Sequence, residues 1–156
     1  MLNQLERLSI DTEGRFATEQ ELRLLKDYFP TVNLRMSAYQ KIRDREEEII
    51  NRLHEKMRQL EPNIFQIASG DVTALFQRDT KIVLRSTIAA MLIDDLDRLR
   101  ETILLWQRTI TKAFKVKHIA TLTHNTMPSI IEQFLTPEEY TLIIPFLRLN
   151  QAVLAS

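Results

Sequence analysis

The sequence contains no cysteine, and this absence excludes several kinds of chemistry at once. A chain without thiols forms no disulfides, offers a metal no thiolate ligand and has no cysteine nucleophile. Glycine is almost as scarce: only Gly14 and Gly70 occur, too few for a glycine-rich loop that holds phosphates. Long apolar runs are also missing, because the longest, residues 88–93, is far shorter than the roughly 20 residues that span a bilayer.

Charge is plentiful but balanced, with 21 basic and 21 acidic residues. The whole chain therefore lacks the net basic field that attracts nucleic acids and anionic membrane surfaces. No cationic leader followed by an apolar stretch opens the sequence. We expect a soluble cytoplasmic protein with no nucleic-acid partner and no membrane span, folded as a single domain because its 156 residues suit one core.

Apolar residues recur at helical spacing through most of the chain, and strict alternation is never sustained over the length of a strand. The pattern predicts an all-α fold with a connecting loop at residues 62–70. Pro30 should end the second helix, Pro128 should kink or split the sixth, and Pro145 should bend the seventh. The predicted helices cover residues 2–8, 18–28, 34–60, 72–93, 96–110, 119–135 and a last helix from residue 137.

Two helix starts carry capping signals. Thr18 stands three residues before Glu21, and Thr136 stands before Pro137 and three residues before Glu139. In each case the threonine and glutamate side chains can satisfy each other's free backbone N–H groups, and proline is favoured at the first helical position. We therefore predict a capping box at both places.

The helical pattern also separates core from surface. The charged run at residues 43–48 is predicted to be a solvated face with ion pairs between successive turns. Trp106, Phe114 and Phe134 lie at helical spacing from aliphatic neighbours and are predicted to be core residues. The stripe predicted to face the core along residues 34–60 comprises Ile42, Ile49, Ile50, Leu53, Met57 and Leu60.

The segment SIDTEGRFAT at residues 9–18, followed by Glu21 and Leu22, resembles the start of phycobilisome subunits, the phycocyanin and allophycocyanin family. The resemblance implies one globin-like helical domain, with a two-helix extension at residues 1–30 and a core at residues 31–156. Family members pair through that extension into dimers and then rings. Further matches follow in the same order at Ala38-Tyr39, residues 60–63, Thr73-Ala74, Arg78-Asp79, Leu84-Arg85 and residues 90–92.

Three departures from the family pattern lie close to where the pigment would be. Phe76 replaces the cysteine that normally carries the bilin, and a phenyl ring offers no nucleophile for the thioether. The loop at residues 66–72 is shorter than the chromophore-side loop of the family, and the sequence KVKH at residues 115–118 replaces a bend that contains glycine or proline. We therefore expect no covalent bilin.

Four polar residues match functional positions of the family. Arg78 and Asp79 correspond to the residues that hold a bilin propionate and the pyrrole nitrogens, a pairing that suits a guanidinium and a carboxylate. They could instead be remnants or a local surface pair. Asp11 and Arg85 correspond to positions that pair across the subunit interface, whereas the alternative for Arg85 is an ion pair within the chain or solvation.

The histidines give little support for a metal site. His54, His118 and His124 are the only ones, and no two stand four residues apart on a helix. We expect His54 at the edge of a packed face. For His124 a partly exposed capping role is favoured over an axial haem ligand. No arrangement of nucleophile, base and acid emerges, so no enzymatic activity is expected.

These observations favour a non-catalytic phycobiliprotein-like subunit without covalent bilin, acting as an interaction or regulatory module associated with cyanobacterial phycobilisomes at the thylakoid surface. Its expected partners are a second copy or phycobilisome subunits. The alternative is a carrier or sensor that binds a bilin or haem noncovalently, with Arg78 and Asp79 as polar anchors.

Overall fold

A computed structural model describes residues 2–68 and 70–155, with the side chains from residue 4 onward. In these residues the fold is all-α, as predicted, and the one sheet is a hairpin of two strands with two residues each. The α-helices in chain order are α1 (Leu2–Asp11), α2 (Arg23–Tyr28), α3 (Val32–Asp44), α4 (Glu46–Leu60), α5 (Thr73–Leu92), α6 (Leu96–Leu99), α7 (Leu105–Ala113), α8 (Lys117–Ile131) and α9 (Pro137–Leu154).

Short elements join these helices. A 3-10 turn at Phe29–Thr31 follows α2, and another at Glu132–Phe134 follows α8. A π-helical turn, Arg100–Leu104, connects α6 to α7. Strands β1 (Gln66–Ile67) and β2 (Gly70–Asp71) pair antiparallel within the predicted loop.

The prediction of one helix over residues 34–60 is wrong. Arg45 separates α3 from α4 with φ −113° and ψ 13°, outside the α-helical region. No glycine or proline marks this break, which occurs in the middle of the charged run. Five of the six predicted stripe residues are buried as expected, but Leu60, at the end of α4, is exposed.

Both predicted capping boxes form, but only the one at Thr136 lies at the start of a helix. At the start of α9 the Thr136 hydroxyl accepts a hydrogen bond from the Glu139 N–H (3.3 Å), and the Glu139 carboxylate accepts one from the Thr136 N–H (2.8 Å), which confirms that capping box. The same exchange joins Thr18 and Glu21. Helix α2, however, begins only at Arg23, after a stretch of turns.

Proline positions had mixed outcomes. Helix α2 ends at Tyr28, as Pro30 predicted, although Phe29 keeps helical dihedral angles (φ −55°, ψ −40°) and the chain continues as a 3-10 turn. Proline has no N–H group to donate to the carbonyl four residues earlier, so the ladder of α-helical hydrogen bonds ends here. Pro128 and Pro145 lie inside α8 and α9, which continue past them. Pro128 therefore does not split its helix.

The core lies where α4, α5, α8 and α9 meet. Helix α8 packs on α4 and α9, and α5 packs on α3 and α9. One buried polar link crosses this core: the Asn150 amide donates to the Thr87 hydroxyl (2.9 Å). Among the largest fully buried side chains are Ile49, Ile50, Leu53, Met57, Met91, Leu104, Ile131, Ile143 and Phe146.

The first helices are tied to the core near the end of α5. The Tyr28 hydroxyl donates to the Leu92 carbonyl (2.8 Å). Buried Arg35 donates to the Met91 carbonyl and pairs with Asp94 (3.1 Å). These contacts anchor the end of α2 and the first part of α3 against the end of α5.

Two of the three aromatic residues predicted to be core are on the surface. Trp106 is 54% exposed and Phe114 is 69% exposed, whereas Phe134 is half-buried against the core. The prediction was wrong for Trp106 because the buried residues Leu104, at the end of the π-helical turn, and Thr111, in α7, lie on the opposite side of the helix from it. It was wrong for Phe114 because this residue lies just past the end of α7.

Candidate functional site

Phe76 lies in the first turn of α5, where the resemblance places the bilin-bearing cysteine. Its half-buried ring stands 6.3 Å from the ring of Phe65, which stacks on His54 with a centroid distance of 4.7 Å. The Arg58 guanidinium lies 5.5 Å from the Phe65 centroid. Phe76 is thus one member of an aromatic cluster, formed by His54, Phe65 and Phe76, that joins α4 and α5.

His54 is buried, not at the edge of a packed face as predicted. Only 3% of the residue is exposed, and its Nδ1 has no hydrogen-bond partner among the described residues. Burial, with a smaller contribution from the positive charge of Arg58, lowers the pKa of His54 to about 4. The imidazole is therefore neutral at pH 7 and packs as an aromatic ring.

The space beside Phe76 is almost filled by protein side chains. A cavity of about 20 Å³ remains between α5, α7 and α8, whereas pockets for cofactors typically measure roughly 300–1,000 Å³. The residues here do not fit a covalently attached bilin, since the thiol is absent and the ring of Phe76 occupies the site. The cavity is lined by Phe76, Asp79, Thr80, Val83, Gln107, Thr111, Ala120, Thr123 and His124.

Arg78 contacts Asp79, and of the two only Asp79 lines this cavity. The Arg78 Nε donates to Asp79 Oδ1 at 3.0 Å, and a second guanidinium nitrogen lies 2.9 Å from the same oxygen. The Arg78 side chain is 67% exposed, whereas that of Asp79 is 17% exposed and lines the cavity. The two residues form a local surface pair, and their role toward a tetrapyrrole stays a prediction.

His124 is buried in the middle of α8 and lines the same cavity, so the prediction of a partly exposed capping residue was wrong. Burial lowers its pKa to about 4. His118, in the first turn of α8, is exposed and lies 2.6 Å from the carboxylate of Glu61, the residue that follows α4. Whether each histidine is buried depends on how the helices pack against one another, which the sequence pattern does not reveal.

Arg85 makes an ion pair within the chain. Its Nε and one terminal nitrogen donate to the two Glu46 oxygens at 2.7 and 2.6 Å, and its side chain is largely exposed. Asp11 is exposed, and its backbone carbonyl accepts a hydrogen bond from Arg15 (2.9 Å). Glu46, which lies in the charged run predicted to be solvated, was missed as a partner. The subunit-interface role of Asp11 and Arg85 stays a prediction.

Metal and membrane features were searched over the described residues. Within them, no group of three or more histidine, aspartate or glutamate side chains is arranged to hold a metal ion. In the same part of the chain, no helix has the length and apolar character needed to cross a membrane.

Comparison with known proteins agrees with the fold. The family model described as "Phycobilisome protein" matches residues 8–152, almost the whole sequence. No curated protein matches the chain significantly. Together with the all-α fold, the match shows that the chain belongs to the phycobilisome protein family.

Proposed function

We propose that this chain is a non-catalytic phycobiliprotein-like subunit that carries no covalent bilin and acts as an interaction or regulatory module associated with the phycobilisome. The observation that carries the proposal is the closed site beside Phe76. The attachment position holds a phenyl ring within the aromatic cluster, and the neighbouring cavity is about 20 Å³. Excitation transfer needs a rigidly held pigment, but at this site protein side chains fill the space that a pigment would occupy.

Exposed apolar residues in the part of the chain before α3 support a role in association. Phe16, Phe29 and Ile10 are all largely exposed, and large exposed apolar side chains in one region mark surfaces that bind other proteins. The partner we propose is a second copy or another phycobilisome subunit. Asp11, in this same region, would pair with Arg85 of the neighbouring subunit.

Charge exchange tests the proposed interface. Asp11→Arg alone and Arg85→Asp alone should each shift the protein from dimer to monomer in analytical ultracentrifugation, and the double variant should restore the dimer. Glu46→Gln is the control, because it removes the partner of Arg85 within the chain and leaves both proposed interface charges. A double variant that stays monomeric, or single variants that stay dimeric, would contradict this interface.

The second candidate is noncovalent binding of a tetrapyrrole. It is favoured by one observation: the buried His124 imidazole and the Asp79 carboxylate line the same cavity. Binding would require that cavity to open by displacing Phe76. A visible absorption band that disappears in the double variant Arg78→Ala, Asp79→Ala would support a bilin, and a Soret band that disappears in His124→Leu would support haem.

A further inference from the structure

The net charge of zero hides a marked separation of charge along the chain. Residues 102–131 contain no aspartate or glutamate, but they contain Arg108, Lys112, Lys115 and Lys117. The segment therefore has a charge of +4, and the rest of the chain, with 17 basic and 21 acidic residues, has a charge of −4. A local basic field can thus exist although the whole molecule is neutral.

These four cations are exposed and unpaired. None of them forms an ion pair with any carboxylate in the described part of the chain, and Glu61, which lines the same surface pocket as Lys115, bonds to His118. On other surfaces Lys41, Lys81 and Arg85 each pair with a glutamate. Among the described residues, no direct ion pair therefore neutralises the cations of residues 108–117.

Exposed aromatic residues lie among these cations. Trp106 precedes Arg108 by two residues, and Phe114 stands between Lys112 and Lys115. At the helical angle of about 100° per residue, positions 105, 106, 108, 109, 112 and 113 cover one continuous exposed arc of α7 that does not include the buried Thr111. We name the surface formed by Trp106, Arg108, Lys112, Phe114, Lys115 and Lys117 the basic aromatic face.

The turn after α7 presents part of this face. Lys115 adopts φ +57°, a left-handed conformation in which glycine is usual, and the N–H groups of Lys115 and Val116 bond to the carbonyls of Lys112 and Thr111. The turn therefore has a lysine at a left-handed position where glycine, which has no side chain, is usual. A cation is thereby placed directly after the exposed ring of Phe114.

We propose that the basic aromatic face docks on the surface of a membrane that contains anionic lipids. Lysine and arginine are attracted to anionic headgroups, and tryptophan and phenylalanine rings enter the boundary between headgroups and acyl chains. An acidic protein surface could also contact the cations and the rings, and it is the alternative outcome of the test below. This inference is independent of whether the site beside Phe76 binds a pigment.

Vesicle binding tests the proposal. The purified full chain is mixed with vesicles of phosphatidylglycerol and phosphatidylcholine in equal amounts, or of phosphatidylcholine alone, and bound protein is sedimented. We expect binding to the mixed vesicles only, with affinity that falls as salt is added. Trp106 is the only tryptophan, so its emission should shift to shorter wavelength and become less accessible to acrylamide when this face meets the lipid.

Variants identify the face. At about fivefold in affinity for each cation near an anionic surface, Lys112→Gln combined with Lys115→Gln should weaken binding about 25-fold. Lys56→Gln combined with Arg148→Gln removes the same charge from exposed positions on α4 and α9 and should leave binding nearly unchanged. Circular dichroism would verify that both variants fold.

Three results would overturn the proposal. Equal weakening by both double variants, or vesicle binding with unchanged Trp106 emission, would show that another surface meets the lipid. Failure to bind the anionic vesicles at low salt would exclude a lipid surface and would leave an acidic protein as the partner of these cations.

Discussion

Replacing Glu139 by glutamine should destabilise the protein by an amount that depends on pH. The Glu139 side chain is nearly fully buried, and its carboxylate accepts hydrogen bonds from Lys41 (2.7 and 2.8 Å), Ser37 (2.6 Å) and the Thr136 N–H (2.8 Å). Burial alone would raise the pKa of Glu139, but these donors outweigh it and lower the pKa to about 2. The carboxylate therefore fastens the start of α9 to α3.

The pKa difference sets the size of the effect. An ordinary glutamate has a pKa of 4.5, and the change to about 2 corresponds to a contribution of up to about 3 kcal/mol to the free energy of unfolding at neutral pH. Because the folded pKa is the lower one, this contribution is fully present above pH 4.5 and is lost as the pH falls toward about 2. By about pH 3 less than half of it should remain.

Urea unfolding followed by circular dichroism measures this contribution. The difference in free energy of unfolding between the original protein and Glu139→Gln should be about 3 kcal/mol at neutral pH and should shrink steadily in acid. Glu138→Gln is the matched control, since Glu138 is exposed in the same turn of α9 and should contribute less than about 1 kcal/mol. A difference for Glu139→Gln that is the same at all pH values would refute the reasoning.

Two further predictions concern a buried histidine and a strained turn. His124→Leu should move acid unfolding to lower pH. The pKa of His124 is about 4 in the folded protein and 6.5 ordinarily, so the original protein loses stability that is present above pH 6.5 as the pH falls toward about 4. Substitution of the exposed His118 by glutamine is the control, and identical acid-unfolding curves for His124→Leu and the original protein would contradict this account. Lys115→Gly should raise the free energy of unfolding by about 1 kcal/mol, because glycine adopts the positive φ of this residue without steric cost. Lys115→Ala should give no such gain in the same urea assay. An equal gain from both substitutions would show that φ is not the cause.

Local signals predicted helix boundaries well where a few neighbouring residues decide them. Thr136, Pro137 and Glu139 determine the start of α9 through contacts within one turn, and the structure contains each of those contacts. The break at Arg45 could not be predicted in this way. Residues 43–48 favour a helix throughout, and Glu46 and Glu47 instead bond to Arg85 and Lys81 of α5, which are distant in sequence.

Burial was the part of the site that the sequence predicted least well. His54 and His124 are polar and titratable, so a surface or edge position was the natural expectation. Packing of α4 on α5 and α8 encloses His54, and packing of α8 on α4, α7 and α9 encloses His124. Trp106 and Phe114 have the spacing of core residues and are nevertheless exposed. The absence of acidic residues from residues 102–131 was the signal, visible in the sequence, that this segment could form a separate surface.

The central claim is that the site beside Phe76 is closed and carries no pigment. Its most direct test is an absorption spectrum of the protein, produced in cells that also make phycocyanobilin and haem, recorded as it elutes from a sizing column. A pigment-binding phycobiliprotein subunit with its lyase, produced in the same cells, shows that bilin is available. We predict a colourless protein peak, whereas a visible band that elutes with the protein would contradict the claim and make the chain a noncovalent tetrapyrrole carrier.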